Sequence, residues 1–233
     1  MSVDVKICGL STAATLDAAL DAGADFVGLV FYKPSPRNVS VDDAVALAKR
    51  ARGRAKIVAL FVDPDDTLVN DVIARVQPDV IQLHGAETRE RLTELRMRST
   101  AAIMKAIKVA TVDDVVSARQ YADCADMILF DAKVAKTTTS DASGTLPGGN
   151  GARFDWRHLD ARDPGQAWML SGGLDVDNVV DAIRQTGATA IDVSSGVERT
   201  KGQKDVELIA AFVSAAKGAV QPDQGAPSHV ETG

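Results

Sequence analysis

Short apolar runs rich in Val, Ile, Leu and Phe recur along this chain, and longer segments with apolar residues three and four apart lie between them. The runs predict strands at Val3–Cys8, Phe26–Phe31, Lys56–Phe61, Val80–Leu83, Ala102–Ile107, Met127–Asp131, Ala167–Ser171 and Ala190–Ser194. The helical spacing predicts helices over Thr12–Ala22, Val41–Arg52, Asp65–Val76, Glu87–Arg96, Val112–Tyr121, Asp175–Thr186 and Asp205–Lys217. Several of these open with or just after Ser, Thr or Asp, residues whose side chains accept from the free N–H groups of a first turn. The sixth connection is irregular, with at most a short helix near Asp155–Leu159.

Strands that alternate with helices imply parallel βαβ units. Most strands begin about 23 residues after the previous one, the scale of one unit in an α/β barrel of roughly 250 residues. Eight such units close into a single-domain (β/α)8 TIM barrel over residues 1–220. A doubly wound open sheet is the alternative, and the strand count disfavours it. No GxGxxG follows the first strand, as a dinucleotide-binding sheet would tend to show. Residues 221–233 carry almost no apolar side chains and are expected to be a disordered tail.

Composition narrows the function without naming it. At 233 residues, 45% hydrophobic and 25% charged, the chain has an ordinary soluble composition. A net charge of -6 gives no reason to expect nucleic acid or an anionic membrane as partner. No run of about 20 apolar residues offers a membrane span, and the first residues lack a signal pattern. Cys8 and Cys124 are too few for a disulfide framework, so a cytoplasmic enzyme is the expectation.

In a barrel, chemistry sits at the C-terminal ends of the strands. Those ends hold Cys8, the loop from Lys33 to Ser40, Asp63, His84-Gly85, Lys108, Asp131, Ser171-Gly172-Gly173 and Ser194-Ser195-Gly196. Lys6 and Cys8 share a strand face, and an ammonium beside a thiol favours the reactive thiolate. The bland reading of Cys8 is a small buried apolar residue. Gly172, Gly173, Ser194, Ser195 and Gly196 end the last two strands, where barrels often hold a phosphate on backbone N–H groups; tight-turn chemistry would use the same residues. Asp131 closes an apolar strand and is a candidate acid, or merely a cap. Arg37, in a Pro-stiffened loop, would clamp a carboxylate, or simply be solvated. Lys105 shares a strand face with Ile107, read as the barrel-facing one, and is a candidate Schiff-base or electrostatic lysine; His84 is a candidate hydrogen-bond donor, or merely packed. Cys124, Trp156 and Trp168 read as structural.

Six motifs in order resemble one family. Val5-Lys6-Ile7-Cys8-Gly9, Phe31 to Arg37, Gln82-Leu83-His84-Gly85, Phe154-Asp155-Trp156, Ser171 to Leu174 and Asp192 to Glu198 look like phosphoribosylanthranilate isomerase, an enzyme of tryptophan biosynthesis. The resemblance spans about Val3 to Lys217. It implies an acid–base Amadori rearrangement of N-(5-phosphoribosyl)anthranilate, with no metal or organic cofactor. By matched position Cys8 would be the general base and Asp131 the general acid. Arg37 would hold the anthranilate carboxylate, and the paired glycine and serine turns the phosphate. Lys6, His84 and Asp192 would belong to the substrate pocket, and the protein would be a monomer or weak homodimer. Two departures stand out: the connection from Asp131 to Phe154 is long, and Asn150 occupies a position where Thr or Ser is expected. The runner-up is another sugar-phosphate barrel enzyme, such as an aldolase using Lys105; a catalytically silent phosphosugar-binding barrel is a third reading.

Overall fold

A computed structural model describes residues 2–132 and 155–219. The expected tail at 221–233, and most of the long connection with its Gly148 to Gly151 stretch, lie outside the described residues. The strands are β1 (Asp4–Cys8), β2 (Phe26–Phe31), β3 (Lys56–Phe61), β4 (Val80–Leu83), β5 (Ala102–Val109), β6 (Met127–Ala132), β7 (Trp168–Leu170) and β8 (Ala190–Val193). All eight pair in parallel, and β8 returns to β1 to close the barrel.

The expected helices form with small changes at their ends: α1 (Ala13–Asp21), α2 (Val41–Ala51), α3 (Asp66–Val76), α4 (Arg89–Arg98), α5 (Val112–Ser117), α6 (Val179–Thr186) and α7 (Val206–Lys217). The capping side chains of Thr12, Ser40, Asp65, Thr88, Thr111 and Asp205 each accept a backbone N–H of the following first turn. The helix expected through Tyr121 tightens to a 3-10 turn after Ser117. The helix expected from Asp175 begins at Val179, because Asp175 Oδ1 accepts from Asp177 and Asn178 N–H in a turn of its own. The sixth connection carries only a 3-10 turn, Trp156–Ala161. A two-stranded hairpin, β9 (Glu198–Thr200) and β10 (Gln203–Lys204), was not expected.

The alternation within each strand divides the core. Phe26, Val58, Val80, Met104, Ala106, Leu129, Met169 and Ala190 fill the barrel interior. The intervening residues face the helices, with Phe31 and Phe61 stacked at 5.4 Å there. Toward the C-terminal end the same inward positions turn polar: Lys6 and Cys8, Gln82 and His84, Asp131, Ser171, Asp192 and Ser194. That switch, on one fixed parity, is what builds the site.

Candidate active site

Cys8 ends β1 on the inner face, only 4% exposed. Space for its thiol comes from Gly28 on the neighbouring strand, where a Cβ would lie 3.1 Å from Sγ. Gly9, at φ +81°, then turns the chain out of the barrel, and a Cβ there would meet Arg37 Cδ at 2.6 Å. The two glycines thus seat the thiol and the arginine stem respectively.

Lys6 is fully buried, and its Nζ donates to Asp192 Oδ1 at 2.7 Å. Asp192 Oδ2 accepts from Ser171 Oγ at 3.0 Å. The register pairs Lys6 with Asp192, so this ion pair lies one layer beneath Cys8 and Ser194. Lys6 and Asp192, expected in the substrate pocket, are enclosed one layer below the mouth and hold each other. Burial works to lower the Lys6 pKa, but the charges of Asp192 and Cys8 outweigh it and keep the lysine cationic.

The expected depression of the Cys8 pKa by Lys6 is also corrected. Burial pushes the thiol up, and the Asp192 carboxylate adds to the rise. Lys6 and Lys204 pull it down without overcoming burial. The resting thiol is held above its ordinary 9.0.

Lys204 was missed in the sequence, where it reads as part of a polar surface loop. The β9–β10 hairpin, turning at Gly202 (φ +85°), folds it inward. Its Nζ donates to Ser194 O at 2.8 Å, to Ser194 Oγ at 3.2 Å and to Glu198 Oε1 at 2.8 Å. Ser194 Oγ in turn donates to Cys8 O at 3.2 Å. The Ser194 hydroxyl, expected as a phosphate donor, is engaged by the protein. Burial pushes the Lys204 pKa below its ordinary value despite Glu198.

Arg37 is 4% exposed rather than solvated. Its Nε and Nη2 donate to Glu198 Oε1 and Oε2 at 2.6 and 2.8 Å. That fork is the bidentate carboxylate geometry expected of Arg37, filled here by the protein's own Glu198. Burial opposes ionisation of Glu198, yet the Arg37 hydrogen bond, Lys204 and the Gly202 N–H hold its pKa at about 2.

Across the mouth, Asp131 ends β6 on the inner face and is 4% exposed. His84 Nε2 lies 3.2 Å from Asp131 Oδ2, and Gln82 Nε2 lies 3.1 Å from His84 Nδ1. Lys105 faces outward instead. Its Nζ donates to Glu87 Oε2 and Gly85 O, both at 2.7 Å, away from the barrel interior where a Schiff-base lysine would act. Cys124 and Trp168 are structural, as expected; Cys124 is buried and Trp168 packs on Phe130.

The turns after β7 and β8 pack on each other. A Cβ at Gly196 would lie 1.9 Å from Leu174 O, and one at Gly172 would lie 2.4 Å from Ala132 N. Gly172 and Gly173 have φ of +91° and +64°. Glycine is required by contact at 172 and 196, not merely favoured by turn chemistry. Among the described residues, no group of three or more His, Cys, Asp and Glu converges as metal ligands would. Nor is any helix there long and apolar enough to cross a membrane.

A family model described as N-(5'phosphoribosyl)anthranilate (PRA) isomerase matches residues 5–215. An N-(5'-phosphoribosyl)anthranilate isomerase of Parvibaculum lavamentivorans is 49% identical over 219 residues, 94% of this chain and 100% of that protein. One from Afipia carboxidovorans is 51% identical over 94% of this chain and 91% of its own. The crystal structure of phosphoribosyl anthranilate isomerase from Thermotoga maritima superposes with a TM-score of 0.78 at 33% identity, covering 93% of this chain and 99% of that one. A structure of the enzyme in complex with reduced 1-(o-carboxyphenylamino)-1-deoxyribulose 5-phosphate gives a TM-score of 0.76 at 32% identity, with the same coverage. Barrel, strand-end chemistry and relatives agree: this chain belongs to the N-(5'-phosphoribosyl)anthranilate isomerase family.

Proposed function

We propose that Asp131 and Cys8 act as the general acid and general base that isomerise N-(5-phosphoribosyl)anthranilate to 1-(2-carboxyphenylamino)-1-deoxyribulose 5-phosphate. The observation that carries the assignment is their placement. Both face inward at the C-terminal end of the barrel, on β1 and β6, with the glycine-rich turns of β7 and β8 between them around the mouth.

The chemistry follows from the groups. Asp131, protonated, gives its proton to the furanose ring oxygen as the C1–O bond breaks. The nitrogen lone pair forms the C1=N bond, and the resulting iminium acidifies the C2 hydrogen. The Cys8 thiolate removes that hydrogen, giving an enolamine. Return of the thiol proton to C1, and of the C2 hydroxyl proton to Asp131, completes the ketone and resets both groups. Backbone N–H groups of Gly172, Gly173, Ser195 and Gly196 are the proposed phosphate donors, supported by two turns that only glycine fits. The Arg37 guanidinium is the proposed partner of the anthranilate carboxylate, supported by its place against Gly9 beside Cys8, with Glu198 fixing its Nε and Nη2.

Two buried, unpaired cysteines fit a reducing cytoplasm. The exposed large apolar side chains among the described residues are Met97, Val112, Val116 and Val206, which supports a monomer or weak homodimer. The test of the central assignment is the loss of substrate fluorescence on adding enzyme. Wild type is expected to turn over, with Cys8→Ala and Asp131→Asn each slower by at least about a hundredfold. An inert wild type, or near-normal turnover in both variants, refutes the assignment.

A further inference from the structure

The hydrogen bond between His84 and Asp131 has a direction, and that direction is set from the far side of the imidazole. β4 places Gln82 on the inner face with His84 two residues on. Gln82 Nε2 lies 3.1 Å from His84 Nδ1. An amide nitrogen only donates, so Nδ1 must accept. A ring that accepts at Nδ1 carries its proton on Nε2, which lies 3.2 Å from Asp131 Oδ2. With the amide nitrogen toward the ring, the contacts run from Gln82 through His84 to Asp131.

Packing does not explain Gln82. It is fully buried, in register with Leu60 on one side and Met104 on the other. Its Oε1 has no hydrogen-bond partner among the described residues. A buried carbonyl oxygen without a partner weakens a fold, and an apolar side chain of the same shape would not carry that penalty. The position favours an apolar residue for stability and an amide for orienting an imidazole.

We propose that Gln82 is a positioning residue whose amide holds His84 in the Nε2–H tautomer, aiming that N–H at the carboxylate Asp131 becomes when it gives its proton to the substrate ring oxygen. The inference rests on the reading of Asp131 as the acid. As the C1–O bond breaks, negative charge appears on Asp131, and a donor already in place needs no reorganisation to meet it.

The test is Gln82→Met, with Gln82→Glu as the opposing variant. The chain has only three histidines, so the ring nitrogens of His84 are assignable in long-range proton–nitrogen spectra. Wild type is expected to show Nε2 protonated and Nδ1 bare. Gln82→Met should give a mixture of tautomers, and Gln82→Glu, whose carboxylate accepts, should put a proton on Nδ1. Gln82→Met should lower kcat about tenfold, less than the roughly hundredfold that loss of an acid–base group itself costs, with KM nearly constant. Its thermal midpoint should equal or exceed that of wild type. A wild-type Nδ1–H tautomer overturns the proposal, as does an unchanged tautomer in Gln82→Met, or a lost tautomer with intact turnover. Near-normal turnover in Asp131→Asn would instead overturn the acid assignment, while the ring spectrum still reports whether Gln82 sets the tautomer.

Discussion

Removing the cation of the Lys6–Asp192 pair should be among the most damaging single changes to this barrel, and removing both charges should be far less so. The two groups meet at 2.7 Å with Lys6 fully buried. At an effective dielectric of 20, such a contact carries about 6 kcal/mol of attraction, which offsets the cost of bringing both charges inside. Lys6→Met keeps the volume and deletes the ammonium, leaving Asp192, among the described residues, with the Ser171 hydroxyl at 3.0 Å. An uncompensated buried charge destabilises by about 3–5 kcal/mol. Asp192→Asn should cost a similar amount, by stranding Lys6. In a chain of this size the midpoint of thermal unfolding falls about 2–4 °C per kcal/mol, so each single variant should lose about 6–20 °C. The double variant Lys6→Met/Asp192→Asn should recover at least about half of the summed loss. Urea unfolding of the four proteins, followed by the fluorescence of Trp156 and Trp168, measures the coupling directly. Single variants within about 1 kcal/mol of wild type, or a double variant equal to the sum of the singles, would refute the reasoning.

The raised Cys8 pKa predicts that kcat/KM climbs with pH through the neutral range and is still rising near the thiol's ordinary 9.0. Alkylation of Cys8 by iodoacetamide should follow the same curve, and a plateau already reached at neutral pH would contradict it. Glu198 gives an acid limb to stability. Its carboxyl is held at about 2 against an ordinary 4.5, so the folded state binds its proton less readily than the unfolded chain does. The stabilisation, about 2 kcal/mol after allowance for solvent screening, is fully present above 4.5 and disappears as pH falls through about 2. Glu198→Gln should flatten the loss of thermal midpoint across that window, and an unchanged acid profile would count against the Arg37–Glu198–Lys204 chain.

The legible parts of the fold were those where one local signal decides. β2, β3 and β4 fall where the apolar runs predict them, because polar or turn residues bound each run sharply. The strand-end residues Cys8, Arg37, His84 and Asp131 gather at one end because chain direction alone dictates it in a parallel barrel. The facing of Lys105 was not legible. β5 is buried on both sides, so periodicity cannot tell interior from helix-facing positions, and its charge is absorbed by Glu87 and two backbone carbonyls. Lys204 was illegible for a different reason. Its burial depends on a two-residue strand and on the charge of Glu198, neither of which leaves a hydropathy signal.

The thiol that the sequence marked as activated is, in the structure, one whose pKa burial has raised, and the two statements can be reconciled in numbers. A base whose pKa already lies above the working pH is ionised about tenfold less for each further unit, but each thiolate is a stronger base. With a Brønsted slope of about 0.5, roughly threefold of that tenfold is regained. The net loss is about threefold per unit, tolerable for one unit and severe for several. Lys6 and Lys204 oppose the shift from two directions, one beneath the thiol and one from the β9–β10 hairpin. Lys6 stays cationic because Asp192 holds it, and Lys204 is placed by Glu198, which also grips Arg37. The buried ion pairs therefore act on Cys8 in opposing senses: their carboxylates let the ammonium groups be buried, while Asp192 itself pushes the thiol upward. A dry site that suits proton transfer from carbon and a base that still ionises are competing demands, and this network is where the barrel balances them.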